Sequence, residues 1–349
     1  MAAVTLTIDG LAVTVDAGKS VLEAALENGI YIPHLCYCPD LTPVGVCRLC
    51  MVDIKGRRAS IACKTLVESG MVVKTDTPEI SLIRRIAVEL LLINHEAECL
   101  TCPKDSECKL QEVAHYAGVT EERLKRLRQG TRARELDTSN PFFVRNPNRC
   151  VYCGICVRAC EEINGVSAID FAFRGYDMEI STFAGKQILD SACESCGECV
   201  VRCPTGALAP VTTQKPARKV KSICNYCGVG CSLYLGVRGN EIVNVDGDPN
   251  GPSNHGRLCV KGRFGWEFVG HADRLKKPLI RKDGELVEAE WDEALDLVAS
   301  RFSEIKAAHG GDALAVLASA KCTNEENYVI QKFTRAVLGT NNVDHCARL

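Results

Sequence analysis

The chain has 349 residues, of which 46% are hydrophobic and 25% charged, proportions that are ordinary for a globular protein of two or three domains. Its net charge of −2 gives no support to nucleic-acid binding or to binding at an anionic membrane surface, and no run of about 18 apolar residues predicts a membrane span. The 22 cysteines are the anomaly. The first residues lack the basic start and apolar core of a signal peptide, so the cysteines predict metal sites in a cytoplasmic chain rather than disulfides.

The first predicted elements form a small sheet with one helix. Residues 4–15 alternate at the strand period around an Asp9-Gly10 hairpin turn. Ser20 predicts the cap of a helix that ends at Gly29. The order strand, turn, strand, helix and cysteine loop resembles the β-grasp fold of plant-type [2Fe–2S] ferredoxins, and it implies such a domain over residues 1–78.

Four cysteines of this domain are the expected ligands of the [2Fe–2S] cluster: Cys36, Cys47, Cys50 and Cys63. Their spacing departs from the plant ferredoxin pattern. It resembles the N-terminal domain of iron-only hydrogenases and of the large peripheral-arm subunit of respiratory NADH dehydrogenases. Cys38 is an alternative to Cys36, because either could reach the loop. The stretch Ile32-Pro33-His34-Leu35-Cys36 matches that family's approach to its first ligand, which favours Cys36 and leaves Cys38 as a bystander thiol.

A helix over residues 80–94 is predicted by apolar residues that share one face: Ile83, Ile86, Ala87, Leu90 and Leu91. It leads into His95-x3-Cys99-x2-Cys102-x5-Cys108. This pattern resembles the [4Fe–4S] site with one histidine and three cysteine ligands in the same two families, and it implies a helical domain over residues 79–140. The arginine-rich residues 121–134 are interpreted as a solvated connecting helix rather than as a docking surface for an acidic partner.

Two cysteine runs of identical spacing follow within residues 141–210: Cys150-x2-Cys153-x2-Cys156-x3-Cys160 and Cys193-x2-Cys196-x2-Cys199-x3-Cys203. Each run places three thiols on one loop and sends the fourth to the other cluster, as in bacterial two-cluster ferredoxins. One [4Fe–4S] cluster is therefore expected on Cys150, Cys153, Cys156 and Cys203, and a second on Cys160, Cys193, Cys196 and Cys199. Zinc knuckles are the alternative, but structural zinc sites usually close with two short pairs of ligands.

The spacer between the two cysteine runs contains a predicted short strand at 169–173, and residues 209–219 have the composition of a linker. A fifth site is predicted after this linker, within residues 218–275. Its candidate ligands are Cys224, Cys227, Cys231 and Cys259, with a hairpin at 233–245. The stretch resembles the [4Fe–4S] entry domain of molybdopterin oxidoreductases, most of all formate dehydrogenases. The resemblance implies that Lys261 relays electrons between this cluster and a molybdenum or tungsten bis-pterin guanine dinucleotide cofactor. The alternative is an ordinary surface lysine.

Residues 276–349 are predicted to begin an α/β domain. A helix at 291–309 precedes an apolar strand at 313–318, and a second helix is expected at 324–338. A strand that is apolar on both faces expects parallel neighbours and covering helices, and too few residues remain to supply them. This segment is therefore expected to be incomplete.

The last nine residues, 341–349, resemble the segment that leads to the cysteine or selenocysteine metal ligand of formate dehydrogenases. That ligand would occupy the position after Leu349, so no catalytic residue is expected in this chain. Cys346 lies too early in the motif to bind the metal. The expectation is a selenocysteine-containing formate dehydrogenase whose sequence has been cut at its UGA codon.

The expected fold class is a multi-domain α+β iron–sulfur protein that carries one [2Fe–2S] and four [4Fe–4S] clusters. The expected function is electron transfer between a formate-oxidising pterin site and a partner, such as a flavin subunit using NAD(P) or a hydrogenase subunit. The expected order is the Cys224 site, the tandem ferredoxin, the His95 site and the [2Fe–2S] domain. The alternatives are the large subunit of an NADH dehydrogenase arm without formate activity, an iron-only hydrogenase, and a self-contained electron-transfer subunit.

Overall fold

The structure is a computed structural model that describes residues 2–128, 133–212 and 214–346. It divides the chain into two units, Met1–Thr213 and Gln214–Leu349. None of the described helices combines the length and the hydrophobicity needed to cross a bilayer.

The first unit begins with the predicted hairpin, in which β1 (Ala3–Ile8) pairs antiparallel with β2 (Leu11–Asp16). Further strands extend this sheet in the described residues to the order β2-β1-β5-β3-β4, and they are β3 (Met51–Ile54), β4 (Ser60–Ile61) and β5 (Val72–Lys74). Helix α1 (Val21–Glu27) begins at Ser20, whose side chain accepts from the Glu23 amide as the sequence predicts for a cap. Val21 and Leu22 of α1 pack on the buried face of β1, so this region has an apolar core of its own.

Three helices follow in the first unit: α2 (Pro78–Leu92), α3 (Lys109–Tyr116) and α4 (Glu121–Leu127). The predicted inner face of α2 is wrong in part, because Ile86 and Leu90 are 41% and 63% exposed. Arg84 and Glu89 are buried instead. Arg84 donates to main-chain carbonyls and Glu89 accepts from Arg123, and such distant partners leave no trace in the apolar periodicity.

The remainder of the first unit surrounds the two cysteine runs. Its strands form two antiparallel pairs. β6 (Phe143–Arg145) pairs with β9 (Leu208–Pro210), and β7 (Ile169–Ala172) pairs with β8 (Glu179–Thr182). Helices α5 (Ile155–Arg158) and α6 (Glu198–Arg202) follow the second cysteine of each run. Each helix starts after a glycine at positive φ, Gly154 at 69° and Gly197 at 76°, a conformation that glycine adopts without steric cost. The backbone can therefore turn sharply between the second and third thiols.

The second unit begins with an antiparallel sheet in the order β10-β11-β12, formed by β10 (Arg218–Ile223), β11 (Ser232–Arg238) and β12 (Glu241–Gly247). The predicted hairpin at 233–245 is thereby confirmed. The predicted linker at 209–219 is shorter in the structure, because Pro210 ends β9 and Arg218 begins β10. A proline is tolerated in an edge ladder since its missing N–H need not pair.

After this sheet come helix α7 (Val260–Phe264) and a hairpin of β13 (Leu279–Lys282) and β14 (Glu285–Glu288). The last elements are α8 (Trp291–His309), β15 (Val316–Ser319), α9 (Asn324–Phe333) and β16 (Val343–Cys346). Helix α8 has its predicted bounds. The strand predicted at 313–318 begins later, at Val316. Its first predicted residue, Ala313, belongs instead to a 3₁₀ turn over Gly311–Ala313. β15 pairs in parallel with β16, so the residues that follow it supply one parallel neighbour, which corrects the prediction that too few residues remain to supply any.

Candidate iron–sulfur centres

Two cavities in the first unit are each lined by four cysteines drawn from both runs. The first cavity is lined by Cys150, Cys153, Cys156 and Cys203. The second is lined by Cys160, Cys193, Cys196 and Cys199. Helices α5 and α6 pack against each other, so the last thiol of each run reaches the cavity formed by the other run. These are the two sets that the spacing predicts.

The walls of the first cavity are largely apolar, with Val151, Ile169 and Leu208 beside the thiols. Burial raises the pKa of Cys150 to about 11 and that of Cys153 above its usual range. Main-chain amides nevertheless point at several sulfurs of the two cavities, with N–H···S distances of 3.4 Å from Tyr152 to Cys150, 3.2 Å from Ala168 to Cys160 and 3.4 Å from Ser195 to Cys193. Proteins set the reduction potential of iron–sulfur clusters through exclusion of solvent and through hydrogen bonds to the sulfurs. Both features are present here, so the four thiols of each cavity fit such a cluster.

The four predicted N-terminal ligands, Cys36, Cys47, Cys50 and Cys63, lie close enough to influence one another's pKa values. The Cys47 thiol donates to Cys36, which lowers the pKa of Cys36 and raises that of Cys47. A similar hydrogen bond from Cys50 lowers the pKa of Cys63. The thiol of Cys38 donates instead to Asp40 Oδ1 at 3.0 Å. The structure thus places Cys36, and not Cys38, with the other three thiols.

The predicted histidine-containing site is formed by the loop between α2 and α3. Burial is the main cause that raises the pKa of Cys108, with further contributions from Cys102 and Cys99, which lie close to it. Burial also lowers the pKa of His95, and its Nδ1 is buried without a hydrogen-bond partner among the described residues. An unpaired buried nitrogen costs free energy, and metal ligation would satisfy it. The donor set therefore fits a cluster with one histidine and three cysteine ligands.

The histidine-containing loop packs directly on the wall of the first cavity. An ideal Cβ built on Gly206 would lie 2.5 Å from Cys102 Sγ. The Lys109 amide donates to the Pro204 carbonyl at 3.1 Å, and Pro204 follows Cys203 in the chain. The sites of Cys102 and Cys203 are therefore neighbours, separated at this point by the short segment that contains Gly206.

Gly206→Ala tests this contact. A free thiol could rotate away from the added methyl group, but a cysteine held by a cluster could not, so we expect the variant to lose about four iron atoms per chain from the histidine-containing site. The matched control is Gly270→Ala, because nothing lies within 4 Å of the Cβ position there and no positive φ is required. Iron analysis and EPR spectra of both variants measure the effect. A full iron complement in Gly206→Ala would show that Cys102 is not held as a ligand.

The [2Fe–2S] ligand loop lies against the first half of the tandem ferredoxin. Leu35, Cys36 and Cys47 share one apolar core with Val151 and Cys153. Helix α3 and the candidate ligand Cys108 of the His95 site pack on the same core, so the predicted order of the centres stays a prediction. The loop folds out of the sheet and onto α5, a non-local contact that the order of motifs along the chain cannot show.

The fifth predicted site lies in the second unit. The Cys224 amide donates to the Cys231 carbonyl at 2.8 Å. Burial raises the pKa of Cys224, with smaller contributions from the nearby Cys259 and Cys227. An ideal Cβ on Gly262 would lie 3.5 Å from Cys224 Sγ, so helix α7 brings the ligand at its start to the three-cysteine loop. Lys261 is exposed on the first turn of α7.

Two residues beside these centres were not predicted. Gly206 approaches a thiol closely, and its signal in the sequence is a glycine shortly after Cys203-Pro204. Arg158 is buried and donates to the Cys36 carbonyl; nothing in the sequence indicates that contact. Among the residues that the structure describes, no three histidine, cysteine or carboxylate side chains are positioned to hold a single metal ion.

Models of five protein families match successive parts of the chain. They are a 2Fe-2S iron-sulfur cluster binding domain (residues 1–78), the NADH-ubiquinone oxidoreductase-G iron-sulfur binding region (84–123), the ferredoxin-like domain of NADH-quinone oxidoreductase subunit 3 (140–209), the molybdopterin oxidoreductase Fe4S4 domain (217–271) and molybdopterin oxidoreductase (274–349). The first four of these models enclose the five candidate sites, two of which lie within residues 140–209.

Among the relatives, an NADH-quinone oxidoreductase subunit of Rhizobium meliloti (strain 1021) is 39% identical over 353 residues, which cover 99% of this chain and 40% of that protein. "Putative formate dehydrogenase SH0748" of Staphylococcus haemolyticus (strain JCSC1435) is 32% identical over 387 residues, 98% of this chain and 39% of that protein. The chain thus spans about two fifths of the length of these relatives.

One chain in the crystal structure of an NAD+-reducing [NiFe]-hydrogenase in the H2-reduced state is 32% identical, with a TM-score of 0.55. The match covers 60% of the present chain and 88% of the hydrogenase chain.

Proposed function

Because this chain carries the N-terminal iron–sulfur domains of the molybdopterin oxidoreductase family, we propose that it relays electrons between a pterin-bound metal site and a partner redox subunit. The observation that carries this proposal is the pair of cavities in the tandem ferredoxin region. Each is lined by four thiols, and each takes its last thiol from the opposite run. Two largely apolar cavities in one unit, each lined by four thiols, could hold two neighbouring clusters, as an electron relay requires.

We propose that the chain holds one [2Fe–2S] cluster and four [4Fe–4S] clusters. The ligand sets are Cys36, Cys47, Cys50 and Cys63 for the [2Fe–2S] cluster, then His95, Cys99, Cys102 and Cys108; Cys150, Cys153, Cys156 and Cys203; Cys160, Cys193, Cys196 and Cys199; and Cys224, Cys227, Cys231 and Cys259 for the others. When bound, such clusters supply one-electron carriers over a wide range of potentials. The residues of this chain hold them, exclude water and fix which centres are neighbours.

The packing of the first unit supports a specific arrangement of the relay. Cys36 and Cys153 lie in one apolar core, which supports a position of the [2Fe–2S] centre beside the Cys150 centre. Cys102 lies against Gly206, so the His95 centre adjoins the same cavity from another side. We therefore propose that the Cys150 centre exchanges electrons directly with both of these neighbours.

For the whole protein we propose the oxidation of formate to carbon dioxide at a molybdenum or tungsten bis-pterin guanine dinucleotide site. Support comes from the molybdopterin oxidoreductase models over residues 217–271 and 274–349 and from the relative named as a formate dehydrogenase. In this proposal Lys261 relays electrons between the pterin and the Cys224 centre. Its exposed position two residues after the candidate ligand Cys259 leaves it free to contact a further group.

Lys261→Met tests that role in the protein isolated with its native partner subunits. We expect formate-dependent reduction of the clusters to slow by roughly 10-fold to 100-fold, the scale of effects from residues adjoining a metal centre. Reduction of the same clusters by dithionite should be unchanged, because their ligands remain. An unaltered formate-dependent rate would make Lys261 an ordinary surface lysine.

A second candidate function is electron transfer within a complex linked to NADH or NADPH, without formate activity. The higher identity to the Rhizobium meliloti NADH-quinone oxidoreductase subunit and the match to a chain of an NAD+-reducing hydrogenase favour it. In that case, a partner subunit that binds flavin and a nicotinamide nucleotide would deliver electrons to the [2Fe–2S] domain. The cluster ligands of this chain would be the same.

Stopped-flow absorbance of the native complex separates the two candidates. The complex, purified without oxygen through a tag on this chain, is mixed with formate alone, with NADH alone and with NADPH alone. Bleaching of the cluster absorbance by formate supports the formate proposal. Bleaching by a nicotinamide nucleotide but not by formate supports the second candidate. No bleaching by any of the three, in a complex that dithionite does reduce, would contradict both.

A further inference from the structure

Two buried arginines contact the [2Fe–2S] ligand loop from elements that lie outside its sheet. Arg84 on α2 is 1% exposed and donates through Nε to the Leu49 carbonyl at 3.0 Å and through Nη2 to the Met51 carbonyl at 2.7 Å. These two carbonyls flank Cys50. The guanidinium of Arg84 thus supports the second half of the ligand loop.

Arg158 contacts the first half of the same loop. It ends α5, is 7% exposed, and donates through Nη2 to the carbonyl of Cys36 at 2.6 Å and through Nη1 to that of Thr42 at 2.7 Å. In the chain it lies between Cys156 and Cys160, which line the two different four-thiol cavities. Arg158 therefore lies where the [2Fe–2S] loop meets the tandem ferredoxin.

The charges of these two arginines are balanced differently from those of their neighbours. Arg123 pairs with Glu89, Arg149 with Glu96 and Arg202 with Glu198. In the described part of the chain, the hydrogen bonds of Arg84 and Arg158 to the ligand loop go to main-chain carbonyls, and neither guanidinium is ion-paired with a carboxylate. One nitrogen of each, Nη1 of Arg84 and Nε of Arg158, is buried without a hydrogen-bond partner among these residues.

A buried cation is costly unless an opposite charge compensates it. A [2Fe–2S] cluster with four thiolate ligands supplies that charge, because it carries a net charge of about −2 when oxidised and about −3 when reduced. Reduction adds one electron and converts one ferric ion to ferrous. A nearby fixed cation favours the more negative, reduced form, and it does so more strongly where water is excluded.

We propose that Arg84 and Arg158 are the built-in counter-charges of the [2Fe–2S] cluster, which raise its reduction potential while tying its ligand loop to the two neighbouring domains. The inference rests on the proposed function, since it needs the cluster on Cys36, Cys47, Cys50 and Cys63. It assigns both arginines as positioning residues that also set the energy of electron transfer from the [2Fe–2S] centre. In this arrangement Arg158 adjusts that energy at the contact with the Cys150 centre.

The test is an EPR-monitored redox titration of the native protein and of Arg84→Met and Arg158→Met. Methionine removes the charge while keeping much of the volume. Each change is expected to disfavour reduction of the [2Fe–2S] cluster about tenfold, a downward shift of about 59 mV for one electron. Arg84→Lys and Arg158→Lys keep the charge but lose the planar fork, so their potentials are expected to lie closer to that of the native protein.

Exposed arginines in the same regions provide the matched controls. Arg85→Met, one residue along α2, and Arg174→Met, in the turn after β7, remove a charge from the surface, where solvent screens it. Neither is expected to move the potential of the [2Fe–2S] cluster. If the two arginines only packed against the loop, the buried variants would have lower thermal stability. The methionine and lysine variants at each position would then have the same reduction potential.

Unchanged midpoints in Arg84→Met and Arg158→Met with a full [2Fe–2S] signal would overturn the inference. So would equal shifts in the lysine and methionine variants, because loss of charge would then not be the cause. If the methionine variant at one arginine loses the cluster during purification, the methionine and lysine variants at the other arginine decide between these outcomes. Absence of a [2Fe–2S] signal from the native protein would contradict the proposed function itself, which keeps the two failures distinct.

Discussion

Cys203→Ala is expected to remove the cluster held by the Cys150 loop and to leave the cluster of the Cys193 loop in place. Cys160→Ala is expected to do the reverse. The reason is the exchange of thiols between the two cavities, in which Cys203 lines the first and Cys160 the second. Each variant should therefore lose about four iron atoms and about four sulfides per chain.

Reference variants identify which cluster has been lost. Cys153 lies on the first loop and Cys196 on the second, so alanine at either position removes a cluster whose location is not in question. The EPR spectrum of reduced Cys203→Ala should match that of Cys153→Ala, and that of Cys160→Ala should match that of Cys196→Ala. The control is Cys38→Ala, which should keep every cluster because its thiol donates to Asp40. A match of Cys203→Ala to Cys196→Ala would mean that the runs do not exchange thiols.

The second large effect is expected from the ion pair between α2 and α4. Glu89 has a side chain that is 2% exposed, and its carboxylate accepts from Arg123 Nε at 2.5 Å. Arg123→Ala would leave that carboxylate buried without its partner, which costs about 3 kcal/mol, toward the lower end of measured values because the arginine is half exposed. Hydrogen exchange in α2 and α4 should show a free energy of local opening that falls by about this amount.

Arg126→Ala is the matched control on the same helix. Arg126 pairs with Glu122 four residues earlier, but both side chains are more than three quarters exposed, and such a pair stabilises a helix by only about 0.3–0.5 kcal/mol. Protection of α2 should not change in this variant. Equal losses of protection in the two variants would mean that the Glu89 pair contributes no more than a surface pair.

These contacts correct one prediction from the sequence. The arginine-rich stretch 121–134 is predicted to be a solvated connector, and Arg126 conforms to this. Arg123 does not, because it neutralises a buried glutamate 34 positions earlier in the chain. Arg134 does not conform either, because its side chain is 10% exposed and pairs with Glu179 at 3.0 Å. Residues 129–132 lie outside the described residues, and there the interpretation stays a prediction.

Local chemistry made the secondary structure of several regions predictable. Asp9-Gly10 specifies a hairpin turn, and both residues have positive φ in the structure. Ser20 specifies a helix start because its hydroxyl satisfies a free amide. The apolar period of 291–309 specifies α8. In each case the residues that determine the structure lie next to one another in the chain.

The packing between domains could not be predicted in this way. Arg84 and Arg158 are buried because carbonyls of a distant loop accept hydrogen bonds from them, and a sequence pattern treats both as surface residues. Gly206 is required by a thiol that precedes it by more than 100 positions. The apolar core that Cys36 shares with Cys153 is likewise formed by residues far apart in the chain. The cysteine spacing predicts which thiols form a set, but not which sets are neighbours.

The central claim is that these cysteines and His95 hold iron–sulfur clusters rather than single metal ions. Iron, zinc and acid-labile sulfide, measured on the protein purified without oxygen, test it directly. One [2Fe–2S] and four [4Fe–4S] clusters predict about 18 iron atoms and about 18 sulfides per chain, with no stoichiometric zinc. About one zinc ion for each four-ligand site and no acid-labile sulfide would contradict the account.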